Sequence, residues 1–450
     1  MKRTLILLAA ALLLLAGCTF EEVRTSTEPS RQWEEPAETQ TQPTESPVTE
    51  PPQTDPIDAP LQSAGNNTDF KGIWLSQYDL SAVYLDNGVQ RAQSDFASRM
   101  AQVLDNVMEQ GFNTVVLQVR PNGDSMYPSD YYPVSKYVVG EYGLDATYDP
   151  VAIIVELAKE RKLGIHAWIN PMRCMATADL EKVSTDYLLR QWYDDPQKNS
   201  TYLVQSGTYW YLNPAYEEVR ELIVSGAAEI LERYGFDGLH MDDYFYPTTD
   251  GSFDAAAFAE MGSGLDLADF RRKNLNTLVA SLYDAVKACG SDKLFGISPA
   301  GNITAVYESQ YADVYTWCSV AGYIDYICPQ VYFGLEHQRY DFVSVCNTWQ
   351  NIIQTDSVEL IVGMTFEKAL TQEDAYAGTG KNEWKERTDI LKRCLEYTAQ
   401  LEKCRGVCVF SYQHFYDPST GAEIAGTAAE REEFVPALEV ITWLHRGGIG

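Results

Sequence analysis

From residue 73 onward, short apolar runs alternate with longer stretches in which apolar positions recur every third or fourth residue. The short runs fall at 73–78, 114–119, 164–169, 238–241, 294–298, 326–331, 360–365 and 407–411. Several are nearly continuous in Val, Ile and Leu, the pattern of strands buried on both faces. Helical periods lie at 96–110, 150–162, 214–234, 267–288, 342–353 and 384–403. Pro214 is expected in the first turn of its helix, where a missing N–H does no harm. Glu217, Glu218 and Glu221 follow near the positive end of the dipole. Gly111, Gly164 and Gly235 come just after helical stretches, where a left-handed cap is expected. Eight strands, each followed by a helix, predict an α/β chain closed into a (β/α)8 TIM barrel. A doubly wound open sheet alternates similarly. It would not explain polar and aromatic residues gathered just beyond almost every strand, as on the catalytic face of a barrel.

The N-terminal region changes the picture of where such a barrel works. Lys2 and Arg3 precede an unbroken apolar stretch from Leu5 to Leu15, too short for a mature spanning helix and suited to a signal peptide. It ends in Leu15-Ala16-Gly17-Cys18, similar to a bacterial lipobox in which the Cys18 thiol takes the lipid. The expected organisation is a signal peptide over 1–17, a lipid-anchored disordered linker over 18–67 rich in Pro, Thr and Glu, and the barrel over 68–450. The protein is expected outside the cytoplasm, held at the membrane by its lipid, and a monomer suffices for that arrangement.

Composition then removes partners. A formal net charge of −30 argues against nucleic acid and against anionic membrane surface. Cys404 and Cys408 share a segment, but without a His pair or a second cysteine pair they make no metal pattern. No metal and no cofactor is expected. Cys289, Cys318, Cys328, Cys346 and Cys408 lie in apolar runs and read as buried thiols.

The residues beyond the strands are Trp, Tyr, Asn, Gln, His, Arg and carboxylates. They include Gln118, Arg120 and Asp124 after the second strand, and His166, Trp168, Asn170 and Arg173 on and after the third. His240, Asp242, Asp243 and Tyr244 follow on the fourth, then Gln330, Tyr332 and Glu336 on and after the sixth. Aromatic faces stack on sugar rings, while amides and guanidinium groups bond hydroxyls and carboxylates. No phosphate-binding glycine loop and no nucleophilic serine elbow is present, so the expected ligand is a carbohydrate.

Six segments carry a family resemblance: 118–124, 166–173, Tyr211-Leu212-Asn213-Pro214, 237–247, 296–299 and 324–332. Together, and above all through Asp237-Gly238-Leu239-His240-Met241-Asp242-Asp243-Tyr244-Phe245-Tyr246-Pro247, the chain resembles glycosyl-hydrolase-like family ten, from about Lys71 to at least Tyr412. The resemblance implies a TIM barrel acting on cell-wall glycan, on peptidoglycan strands stripped of their stem peptides. Ala300 stands where the pattern has an aromatic, and the region around Glu336 resembles one branch of the family only.

Glycoside hydrolysis needs a proton donor and a stabiliser for the cationic anomeric carbon. Asp242 and Asp243 are the leading pair, because adjacent carboxylates repel and one is thereby kept protonated. In one mechanism, one of the pair is nucleophile or base and the acid comes from Glu336 or Glu367. In the other, the substrate's own N-acetyl group attacks; one aspartate orients it, the other is the acid, and Tyr332 bonds the acetamide oxygen. Arg120 or Arg173 would bind a substrate carboxylate. Asp237 is expected to bond backbone at the strand start, while Tyr131, Tyr132 and Tyr137 are candidates for an outer subsite. The competing readings are a non-catalytic glycan-binding lipoprotein, a glycosidase for another surface polysaccharide and, more weakly, a polysaccharide deacetylase.

Overall fold

The computed structural model describes residues 65–443; the expected signal peptide, Cys18 and nearly all of the linker lie outside them. Eight parallel strands close into a barrel: β1 (Phe70–Leu75), β2 (Thr114–Arg120), β3 (Gly164–Ile169), β4 (Gly238–Met241), β5 (Leu294–Ile297), β6 (Tyr326–Ile327), β7 (Glu359–Thr365) and β8 (Cys404–Phe410). Each pairs with its neighbours in chain order, and β1 closes the ring against both β2 and β8. The predicted barrel is the observed one.

Two sets of side chains account for the unbroken apolar runs. Val115, Leu117, Ile165, Leu239, Phe295, Ile327 and Val362 point outward into the large core beneath the helices. Phe70, Trp74, Val116, Trp168, Tyr326, Cys328, Ile361 and Cys408 fill the lumen. At about 25 cal/mol per Å² of apolar surface, burial on both faces is what stabilises a parallel sheet.

Several boundaries moved. The first strand begins at Phe70 and ends before Ser76, which instead caps an unpredicted helix, Gln77–Tyr84, in a capping box with Asp79. The helix expected from Pro214 starts at Glu217; the Asn213 side chain accepts from the Ala215 N–H and keeps the proline in a turn. Of the three expected glycine caps only Gly111 is left-handed, at φ +81°; Lys162, at φ +57°, serves after the helix Pro150–Glu160. The helical period at 384–403 is split into Glu383–Glu386 and Ile390–Thr398. The eight described cysteines are free, and all but the half-buried Cys289 are buried.

The third strand is followed by an excursion that the periodicity did not suggest. Arg173–Ala176, Leu203–Ser206 and Tyr209–Leu212 form a small antiparallel sheet in which Tyr209–Leu212 is central.

A polar chain runs through the lumen. The Trp74 Nε1–H donates to His240 Nε2 at 3.2 Å, and His240 Nδ1 meets the Tyr326 hydroxyl at 2.9 Å. That hydroxyl meets His166 Nδ1 at 3.0 Å, and His166 Nε2 meets Asn66 Oδ1 at 2.9 Å. Trp74 can only donate, so every proton follows: His240 is protonated on Nδ1, Tyr326 donates to His166, and His166 donates to Asn66. The Asn66 amide nitrogen then donates to the carbonyls of Asp237 and Asp292. Burial pushes His166 down to about 3, and burial with repulsion from His166 holds His240 well below its ordinary value. Both imidazoles are neutral lumen residues. The expectation that His166 and His240 bind substrate is therefore corrected: they sit mid-strand, below the mouth, with both ring nitrogens engaged.

Candidate active site

The strand C-termini carry the site. Asp242, the residue after β4, points into the barrel in phase with His240, and only 4 % of it is exposed. Trp168 Nε1–H donates to its Oδ2 at 3.2 Å, and the Tyr244 N–H donates to its Oδ1 at 3.2 Å. Burial first, and then the charge of Asp243, push Asp242 well above the ordinary carboxylate range. Asp243 follows where the strand has given way to loop, which lets adjacent side chains serve one site. Burial raises it too, while a hydrogen bond from Gln330 and the charge of Arg173 favour its ionised form. Gln330 is fixed in turn by donating to the Ser298 carbonyl at 3.1 Å. Both carboxyls accept hydrogen bonds and feel Arg173, but the neighbour's charge raises Asp242 alone, so Asp242 is the better placed of the two to hold a proton.

Around the pair, Gln118 accepts from the Gln77 N–H at 3.0 Å and donates to Asn170 at 3.3 Å, tying the mouths of β1, β2 and β3 together. Arg173 opens the small sheet opposite Tyr211 and lies over two aromatic rings, 4.3 Å from the Tyr209 centroid and 4.7 Å from that of Tyr244. Tyr332 is half-buried and stacked on Phe410 at 6.1 Å; Phe410 in turn meets Trp74 edge-on. On the opposite rim, buried Asp79 accepts from Ser411 Oγ at 2.9 Å and the Gln413 N–H at 2.7 Å, clamping the seam between β1 and β8.

A barrel whose strand ends gather paired acids, amides and tyrosines agrees with a comparison of the sequence against known families, in which residues 69–377 match the model described as glycosyl hydrolase-like 10. The chain belongs to the glycosyl hydrolase-like 10 family. The matched span takes in the aspartate pair, Arg173 and Gln330 and stops before β8, short of the reach to Tyr412 read from the sequence. The chain is 30 % identical over 374 residues to glycosyl hydrolase YngK of Bacillus subtilis, covering 78 % of this chain and 69 % of that protein. It is 30 % identical over 409 residues to glycosyl hydrolase DigH of Escherichia coli K12, covering 84 % and 90 %. In fold it is similar to the PgaB (BpsB) glycoside hydrolase domain of Bordetella bronchiseptica, at TM-score 0.50 and 13 % identity over 81 % of this chain and 99 % of that one. It is similar again to the β-amylase catalytic domain of Paenibacillus polymyxa, at TM-score 0.50 and 9 % identity over 82 % and 98 %.

Within this glycosyl hydrolase-like 10 barrel, other predicted residues lie elsewhere. Arg120 is turned out of the lumen. The β2–β3 register shifts between Gln118 and Arg120, so Arg120 pairs with outward-facing Ile169, and the extra residue, Val119, inverts everything after it. The guanidinium packs 4.0 Å from the Tyr132 centroid, 1 % exposed, without a hydrogen-bond partner, beside Gly226 of the helix Glu217–Arg233. Tyr132 is buried with it and lines no subsite. Asp124 is fully buried and staples its own loop, accepting from the Asn122 N–H and the Tyr142 hydroxyl, both at 2.7 Å. Glu336 is exposed; its backbone N–H donates to Glu383, and its charge acts on Glu383 and Arg387. Glu367 opens the helix beyond β7, its N–H on Thr365 and its charge towards His414. Asp237 is the expected backbone clasp, accepting from Gly65 and Ile165. Trp168, 7 % exposed and bonded to Asp242, holds the acid rather than offering a sugar platform. Tyr209 was not anticipated; its only advance signal was the aromatic run that precedes Asn213. Among the described residues no group of three or more His, Cys, Asp or Glu side chains converges as a metal site.

Proposed function

We propose that this protein is a cell-surface glycoside hydrolase that cleaves N-acetylated bacterial cell-wall glycan, namely peptidoglycan strands lacking stem peptides. The observation that carries the reading is the adjacent, buried carboxyl pair at the mouth of a glycosyl hydrolase-like 10 barrel, both raised and Asp242 the more strongly. Attachment through Cys18 to the outer surface of the membrane belongs to the same proposal and rests on the lipobox-like sequence.

The chemistry follows from the asymmetry. Asp242, neutral, gives its proton to the leaving glycosidic oxygen as the bond to the anomeric carbon breaks. The substrate's acetamide oxygen attacks that carbon, and Asp243, ionised and steadied by Gln330, accepts from the acetamide N–H and offsets its growing positive charge. Tyr332 bonds the acetamide oxygen before it attacks. Asp242, now a carboxylate, takes a proton from the water that opens the cyclic intermediate and so returns to its starting state. The placement of Glu336 on the surface favours this route over one that draws its acid from β6.

The test is mass spectrometry of purified glycan strands, with and without stem peptides, after incubation with the wild type, Asp242→Asn and Asp243→Asn. Loss of the general acid lowers the rate by about 10²–10⁴ on natural leaving groups. It leaves much more activity on an aryl glycoside, whose leaving group needs no proton; Asp243→Asn loses both. Saccharide fragments from peptide-free strands in the wild type alone support the reading. Retention on glycan without fragments would move it to the non-catalytic binding protein.

A further inference from the structure

The strongest unused feature of the mouth is the state of Arg173. In a chain with 64 acidic and 34 basic side chains, a cation at a half-buried site is expected to be paired. Arg173 is not: among the described residues it has tyrosines around it and no carboxylate ion pair, and its buried Nε has no hydrogen-bond partner. Its charge acts on Asp242 and Asp243, yet it forms an ion pair with neither.

The geometry says what such a group is reserved for. The guanidinium carbon lies 4.3 Å from the Tyr209 centroid and 4.7 Å from that of Tyr244, and a guanidinium's N–H groups all point outward in its own plane. A ligand must therefore arrive in the plane, along the N–H edge. Planar approach to two parallel N–H groups suits a carboxylate, whose two oxygens match the fork. Sugar hydroxyls, which project singly, do not match it. The backbone of Arg173 is held in the small sheet opposite Tyr211, and Tyr209 comes from the same central strand, so one module delivers both the cation and one of its walls.

We propose that Arg173, held edge-on by Tyr209 and Tyr244, is the specificity-determining residue of this site and reads a carboxylate on the sugar next to the scissile bond. This rests on the glycosidase reading of the aspartate pair. It goes further by making the excursion after β3 a selectivity module, distinct from the acid–base machinery on β4.

The probe is a carboxylate-bearing N-acetylated glycan and the same material with its carboxylates chemically reduced to primary alcohols. Turnover of each is measured for the wild type, Arg173→Met and Arg173→Lys. The expected wild-type preference for the charged glycan in kcat/KM is about tenfold or more, carried mainly by KM, the size of a charge-assisted bidentate contact. Arg173→Met should bring the ratio to about one, and Arg173→Lys should leave an intermediate ratio, having the charge without the fork. Equal ratios in wild type and Arg173→Met overturn the inference while leaving the glycosidase intact. If the wild type cleaves neither glycan, the functional reading falls instead. Retention of the two glycans on immobilised wild type and Arg173→Met then decides the carboxylate question: the same loss of preference supports the subsite, and unchanged retention sinks it.

Discussion

Tyr326→Phe isolates the polar chain in the barrel lumen. The substitution removes one oxygen that serves two partners, accepting from His240 Nδ1–H at 2.9 Å and donating to His166 Nδ1 at 3.0 Å. Neither imidazole can compensate by moving its proton. If His240 shifts it to Nε2, that N–H faces the Trp74 N–H, which only donates. If His166 shifts its proton to Nδ1, the Asn66 carbonyl loses its donor. One donor and one acceptor are thus stranded in a dry interior, each costing about 1–3 kcal/mol. The expected loss is about 3 kcal/mol after relaxation, a large part of a domain stability of about 5–15 kcal/mol. Urea titration followed by tryptophan fluorescence measures it. Tyr84→Phe is the matched control, because the Tyr84 hydroxyl is buried and has no hydrogen-bond partner; its removal should be neutral or slightly stabilising. Equal, small effects of the two substitutions would refute the argument, since they would mean that the lumen chain is not held by directed hydrogen bonds.

Four further outcomes are expected. Asp242 is raised by burial and by Asp243, so the folded state holds its proton more tightly than the unfolded chain; stability falls as pH rises from about 4 through the folded value. The melting temperature of Asp242→Asn minus that of the wild type should therefore grow with pH over that window, and a flat difference would contradict the assignment. Gly226→Ala, ordinarily favourable in a helix, should destabilise by about 1–3 kcal/mol, because the new Cβ would lie 2.6 Å from both Arg120 Nη2 and Tyr132 Cε2. Arg120→Met should be neutral or stabilising, should relieve the Arg120 part of the Gly226→Ala penalty but not the clash with the Tyr132 ring, and should leave glycan affinity unchanged, as read by thermal melts and affinity electrophoresis. A chain begun at residue 68 should be less stable than one begun at residue 60 by about 1–3 kcal/mol, because removing Asn66 strands the His166 Nε2–H; identical melts would show that the contact carries nothing.

The barrel was legible because a parallel sheet buried on both faces writes itself as unbroken apolar runs, and the aspartate pair because two adjacent acids at a strand end have few other uses. What escaped the sequence depends on phase and on long-range partners. His166 and His240 look like site residues by composition, yet they lie mid-strand, and only the alternation through Trp168 and Asp242 separates the mouth from the lumen. Asn66 appears as the end of a polar tether; that its side chain reaches the barrel core is fixed by His166, a hundred residues away. Tyr209 could not be assigned without the antiparallel pairing that brings it over Arg173. Arg120 fails for a local reason, since a period of two carries it inward until the register slips at Val119.

That slip has a consequence for how the site could change over time. Substitution alone cannot bring a cation at position 120 into the mouth, because the residue's direction is set by the number of residues between Gln118 and the end of the strand. A single-residue insertion after Val119, with the bulge kept, would move the arginine one place along, past outward-facing Ile169 to lie opposite Asn170, withdrawing it from under the helix. The charge inventory of this barrel's mouth is therefore open to insertions and deletions at one strand end as well as to point changes. Relatives that differ by one residue there are expected to differ in the charge of the glycan they accept, even with every aligned side chain the same.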